Sequence, residues 1–202
     1  MNPKRMRLGP VVFALSAIFA SSVLWVLTLE DHRRESLFVL EQNYATCEKW
    51  RVPPLSRPLM VRSAGGAMDS WLSYPDVIST EPSHLVSSAD LGLAIRRLKP
   101  KELIMTGAGP LDASLLNHLS RTGSIRTLEM AGADLNDDSI VYIAKMEGLE
   151  QLQVSDTGIT GKALEALGKC PSLKVLCIGG TEITKTEAQE FAKRHPGIRV
   201  VR

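Results

Sequence analysis

The sequence predicts an α/β solenoid for residues 87–202, with short parallel strands on a concave face and helices on the convex face, and one membrane-spanning helix ahead of it. Three observations carry this expectation. Apolar residues recur with a 24-residue period; hydrogen-bond-accepting side chains recur in register with them; and a run of 22 residues near the N-terminus, Leu8 to Leu29, holds no charge.

The period is clearest as a template with apolar residues at offsets 0, 3, 5 and 10. Leu149, Leu152, Val154 and Ile159 make one copy; Leu173, Leu176, Ile178 and Ile183 the next; Ile125, Leu128, Met130 and Leu135 the preceding one. An earlier copy, Leu103, Met105 and Leu111, fits with one inserted residue, placed at Gly107-Ala108-Gly109. The chain ends on a partial copy, Ile198 and Val201, displaced by one residue. Offsets 3 and 5 alternate as buried residues do in a strand, where successive side chains point to opposite faces. After each strand comes a turn, then a helix whose inward pair is spaced i, i+3: Ile140 and Ile143, Leu164 and Leu167, Ala188 and Phe191. The residue after each offset-10 position is Asp112, Asn136, Thr160 or Thr184. All four side chains accept hydrogen bonds from the free N–H groups of a first helical turn. Ser87-Ser88-Ala89-Asp90 and Thr184-Lys185-Thr186-Glu187 also have the spacing of a reciprocal cap.

One copy reads VSDTGIT and the next IGGTEIT. Asp156-Thr157-Gly158 alone matches the catalytic triplet of an aspartic protease. That chemistry needs two aspartates sharing a proton, and the sequence holds no second Asp-Thr-Gly. The equivalent places in neighbouring copies hold Gly132-Ala133-Asp134 and Gly180-Thr181-Glu182, which assigns the triplet to a turn after a strand.

The pattern LxxLxLxxTxIT resembles the leucine-rich repeat family, and short bacterial leucine-rich-repeat proteins in particular. The resemblance covers residues 98–202, with 87–97 as a half repeat. It implies a solenoid whose concave sheet docks a protein. The family often carries Asn or Cys at offset 8, and this chain departs from that with Ala133, Thr157 and Thr181.

The elements ahead of the repeats follow in order. Residues 1–29 read as a cytoplasmic tail with Lys4, Arg5 and Arg7, then a span over 8–29. As a helix rising about 1.5 Å per residue, 22 residues cross a hydrocarbon layer of about 30 Å. A signal peptide cut near Ala20-Ser21-Ser22 is the competing reading, opposed by the apolar run continuing through VLWVLTL. The basic tail places the C-terminal domain outside the cytoplasm, in a bacterial cell envelope if the resemblance holds. Residues 30–52 continue as a juxtamembrane helix with Leu37, Leu40 and Tyr44 on one face. These either pack on the chain's own domain or form a coiled-coil dimer. Residues 53–86 hold Pro53, Pro54, Pro58, Gly65-Gly66 and Trp71, and read as a connector and N-terminal cap.

Composition narrows the function. With 24 basic against 22 acidic residues and a net charge of +2, the chain does not read as a nucleic-acid binder. Cys47, Cys170 and Cys177 make no disulfide framework, and His32, His84, His118 and His195 have no metal-ligand spacing. Gly107-Ala108-Gly109 lacks the third glycine of a dinucleotide loop. No cofactor, metal or catalytic residue is expected. The candidate protein-binding face is the set of outward offsets. Offset 1 supplies Lys101, Arg126, Glu150 and Lys174, with Arg199 in the partial copy. Offset 2 supplies Glu102, Thr127, Gln151 and Val175; offset 4 supplies Ile104, Glu129, Gln153 and Cys177. The expectation is therefore a membrane-anchored, non-catalytic protein-interaction module with a protein partner. The alternative in the same class is an assembly or adaptor subunit of a membrane complex, in bacteria or in mitochondria. A hydrolase would need an acid, a base and a nucleophile converging in one pocket, and a pure spacer would show no surface favouring a partner.

Overall fold

A computed structural model of the chain describes residues 8–42, 45–51, 74–80 and 89–202. It is an α/β fold with a seven-stranded, mostly parallel sheet and six helices among the described residues. In chain order the elements are α1 (Leu8–Gln42), β1 (Ala45–Arg51), β2 (Tyr74–Thr80), α2 (Ala89–Leu98), β3 (Glu102–Ile104), α3 (Ala113–Ser120), β4 (Thr127–Glu129), α4 (Asp137–Ile143), β5 (Gln151–Gln153), α5 (Gly161–Leu167), β6 (Val175–Cys177), α6 (Lys185–Arg194) and β7 (Arg199–Val201). The strands lie side by side in that same order; β1 is antiparallel to β2 and every later pair is parallel.

The register is set by the period. Leu128 pairs with Leu152, Leu152 with Leu176 and Leu176 with Val200, each a step of 24 residues. The central residue of each of β3 to β6, Leu103, Leu128, Leu152 and Leu176, is at most 1% exposed and faces the helices. Burying one such side chain is worth about 1.5–3 kcal/mol, so a one-residue slip, which would turn all of them outward, is strongly disfavoured. The inward helix pairs Ile140/Ile143, Leu164/Leu167 and Ala188/Phe191 are buried against the same layer. The backbone ladder runs past the strands: Val154 N–H donates to Cys177 O, and Asp156 N–H to Gly179 O.

All four expected caps are in place. Asp112 accepts from Leu115 N–H, Asn136 from Ser139 N–H, Thr160 from Lys162 N–H and Thr184 from Glu187 N–H. Thr184 and Glu187 complete the reciprocal cap, whereas Ser87 and Ser88 lie outside the described residues. The offset-8 column explains how the chain departs from an Asn or Cys ladder. Thr157 Oγ1 donates to Val154 O at 2.7 Å and Thr181 Oγ1 to Ile178 O at 2.8 Å. In the alanine copies the backbone alone serves the same carbonyl: Ala133 N–H donates to Met130 O, and Ala108 N–H to Met105 O. One position earlier, Gly107, Gly132, Asp156 and Gly180 all hold the left-handed conformation, with φ of 66, 65, 58 and 69°. That column admits glycine freely and aspartate at some cost.

Three expectations are corrected. The inserted residue does not fall at Gly107-Ala108-Gly109 as a whole. Gly107 and Ala108 keep the left-handed and buried positions of their column, so the extra residue lies in Gly109-Pro110-Leu111, before the Asp112 cap. The final copy is not displaced. Arg199 N–H donates to Lys174 O, which holds Val200 opposite Leu176 and turns Val201 outward, 42% exposed. Residues 45–51 do not continue the juxtamembrane helix expected over 30–52. They form β1, because pairing with β2 satisfies their backbone while Ala45 and Cys47 pack against the core. β2 itself was not foreseen in the stretch read as connector and cap; the rest of that stretch, 53–73 and 81–86, lies outside the described residues.

α1 is one helix from Leu8 to Gln42. Its C-terminal part is taken up by the chain's own domain: Leu40 is 1% exposed in the core, Leu37 and Val39 pack against it, and Glu35 pairs with Arg97 of α2 at 2.7 Å. Tyr44 lies outside the described residues. Among the described residues no helix is long and apolar enough to cross a membrane. The side chains of residues 8–20, on which the expected span at Leu8–Leu29 mainly rests, are outside them.

Candidate binding face

The helices cover one side of the sheet, and the other side presents three columns of side chains that run across the strands. They differ in how far the chain satisfies them itself.

The offset-1 column is a ladder of paired charges. Lys101 Nζ lies 3.3 Å from Asp76 Oδ2, Arg126 Nε 3.7 Å from Glu150 Oε1, and Lys174 Nζ 2.6 Å from Glu150 Oε2. Arg126 also donates from Nη1 to Gly123 O and Gly148 O, and its guanidinium occupies the space where a side chain on Gly148 would begin. The hydrogen bond from Lys174, reinforced by its charge, holds the Glu150 carboxyl below its ordinary range. Exposed pairs of this kind are screened by water and add little stability. Three cations face two carboxylates, so the pairs offset most of the column's charge and leave one positive charge in excess.

The other two columns are open. Offset 2 reads Glu102, Thr127, Gln151, Val175 and Arg199; offset 4 reads Ile104, Glu129, Gln153, Cys177 and Val201. Glu102 is engaged by Lys49 of β1 at 3.8 Å. Among the described residues, Thr127, Glu129, Gln151 and Gln153 make no side-chain hydrogen bond or ion pair. They line a shallow depression of about 40 Å³ together with Val175 and Cys177. Thr127, Glu129, Gln153, Val175 and Cys177 are half-buried by their neighbours, and Gln151 is exposed. The chain thus brings the candidate residues onto one face, while Lys101 is spent on Asp76, and Arg126 and Lys174 on Glu150. Arg199 belongs to offset 2, beside Val175, and not to offset 1. The apolar pair Ile198 and Val201 had concealed its register.

The remaining polar and reactive groups are elsewhere. Cys170 is buried, with its thiol pushed up by burial, and Cys47 is pushed up for the same reason. Cys177 is half-buried on the open face. His195 stacks on Phe191 with ring centroids 4.6 Å apart, and His118 lies against Gly92. Among the described residues no three His, Cys, Asp or Glu side chains are grouped to hold a metal ion. One concavity escaped the sequence analysis: a groove of about 370 Å³ between α1 and α2, lined by Glu35, Phe38, Asp90, Leu93 and Arg97 among others, with Phe38 59% exposed. Phe38 stands in the apolar run Leu37–Leu40, so no sequence signal set it apart as exposed.

No family model matches the chain, and no curated protein does. Among solved structures, a chain described as leiomodin-1 actin-binding site 2 is similar, with 19% identity over 44% of this chain and 59% of that one, at a TM-score of 0.37. The chain spans less than two thirds of that structure's length.

Proposed function

We propose that residues 87–202 are a leucine-rich-repeat solenoid carried on a membrane anchor at Leu8–Leu29, and that the protein acts by docking another protein on its open sheet face. One observation carries the reading. Strands β3 to β6 present adjacent columns of half-buried polar and apolar side chains that no helix or loop of the described chain covers. A solenoid's extended face is a common docking surface, and groups left without internal partners are available to an external one. The anchor reading is supported by the charge-free run and the basic residues before it.

Two experiments test these readings. Glu129→Lys with Gln153→Lys, 24 residues apart on neighbouring strands, abolishes partner capture from solubilised membranes. Glu165→Lys with Gln189→Lys, both exposed on α5 and α6, leaves it unchanged. The opposite result assigns binding to the helices or to α1. For topology, carbonate extraction leaves the protein in the membrane pellet, and protease on the non-cytoplasmic side digests residues 30–202. Release into the soluble fraction with an N-terminus near Val23 establishes a cleaved signal peptide instead.

A further inference from the structure

Resting on the docking role of the open face, we infer the charge chemistry of its partner: an extended protein segment that sets a basic side chain against Glu129 and an acidic one against Arg199. The three columns divide sharply by charge pairing. In the offset-1 column Asp76, Lys101, Arg126, Glu150 and Lys174 form ion pairs with one another, and in the open columns Lys49 engages Glu102. On strands β3 to β7 this leaves two charges in the open columns without an ion pair among the described residues. They are the half-buried Glu129 on β4 and the exposed Arg199 on β7. Between them lie Gln151, Gln153, Val175 and Cys177, with no fixed charge.

An unpaired carboxylate half-removed from water favours a cation brought to it, and a like charge there is penalised. The face is therefore a dipole, negative at β4 and positive at β7. Three strand spacings of ~4.8 Å and two residues along the strand place its poles roughly 15 Å apart. A segment lying across the strands at ~3.4 Å per residue covers that distance in about four or five residues. The amides of Gln151 and Gln153 both donate and accept, so they suit the backbone of such a segment between its two charges.

The test is a random 12-residue peptide library selected on the full chain in detergent micelles. Selected peptides carry a basic and an acidic residue about four or five positions apart. Their binding weakens about ten-fold or more with Glu129→Gln and with Arg199→Gln, and is unchanged by Glu165→Gln on the helical side. The exchange Glu129→Arg with Arg199→Glu restores binding to the same peptide with its two charges exchanged. Peptides that bind both neutral variants as well as the parent overturn the inference. If Gln153→Lys still abolishes their binding, the face remains the docking site and only the charge pattern is wrong. If instead only Glu165→Lys with Gln189→Lys abolishes it, the face itself is wrong. A selection that yields no binder, with self-association sensitive to Glu129→Lys, gives the face to a second copy and also overturns the inference.

Discussion

The carboxylate of Asp156 occupies the space in which a side chain on Gly180 would begin, and the two residues hold the same left-handed conformation one unit apart, with φ of 58 and 69°. Gly132, one unit before, has the same backbone with open room: the nearest atom to a Cβ there is 3.8 Å away. The three positions separate backbone cost from steric cost. Gly132→Ala loses about 1–2 kcal/mol through the left-handed conformation alone. Gly180→Ala loses more, and the excess disappears in an Asp156→Gly background. Urea unfolding of the four variants measures this, and equal losses for the two alanine variants would refute the steric role of Asp156.

The caps make a second prediction. Thr160→Ala and Thr184→Ala each lower stability by about 1 kcal/mol, within the usual range of about 0.5–2, and Lys162→Ala, exposed in the first turn of α5, changes little. The structure adds a partner that the sequence did not reveal. Asp137 accepts from Thr160 N–H and Thr160 Oγ1, each at 2.8 Å. Asp137→Ala therefore weakens the start of the following helix, and hydrogen exchange at residues 161–164 rises although α5 itself is untouched.

The offset-8 column supplies a third. Thr157→Ala removes a buried hydroxyl that donates to Val154 O, at a net cost of about 1 kcal/mol. The reverse change, Ala133→Thr, creates a hydroxyl placed to donate to Met130 O, as Thr157 does one unit on. It is tolerated within about 1 kcal/mol if the 3%-exposed site at Ala133 admits the added atoms, since overpacking costs typically about 1–3. Thermal unfolding of both variants checks the pair, and a collapse of Ala133→Thr would show that the two kinds of turn differ in space.

Acid stability provides the fourth. Hydrogen bonds from the Thr184 hydroxyl and backbone hold the Glu187 carboxyl below its ordinary range, and Lys174 does the same for Glu150. A carboxyl with a lower pKa folded than unfolded binds fewer protons in the folded state, so its contribution is present above about pH 4.3 and is lost as pH falls through the folded value. Stability therefore declines from about pH 5 downward. Glu187→Gln flattens that decline while keeping much of the neutral-pH stability, because glutamine also serves a reciprocal cap. An unchanged pH slope in Glu187→Gln with Glu150→Gln would remove both carboxylates from the account.

The repeat was legible because each unit must bury the same residues and begin its helix with the same kind of cap. Leu128, Leu152 and Leu176, and Asn136, Thr160 and Thr184, therefore recur in plain view. The strand pair ahead of the repeats was not legible. Ala45–Arg51 follows a helix without a breaker, and β2 contains Pro75, a residue that argues against a strand unless its N–H is not needed. The same loss of signal affected the far end, where Gly197 stands at offset 0 and Ile198 invites a frame one residue late. The candidate face was legible as a set of positions. Its division into paired and open columns was not, because pairing depends on where the long side chains Lys101, Arg126 and Lys174 come to rest.

The 24-residue register makes the domain from α4 onward a one-dimensional lattice with interchangeable cells. A tandem copy of residues 137–160 inserted after Thr160 would present Asn136, Thr160 and the second Thr160 as successive caps, each duplicated Asp137 beneath the cap that follows it, and one more open strand between β5 and β6. Nearest-neighbour contacts of the existing kind would hold it. Growth by copying is thus open on the C-terminal side, whereas the extra residue in Gly109-Pro110-Leu111 makes the first cell unlike the rest and fixes that end. The separation of Glu129 from Arg199 is then an adjustable ruler: each copied cell lengthens it by one strand spacing, about 4.8 Å.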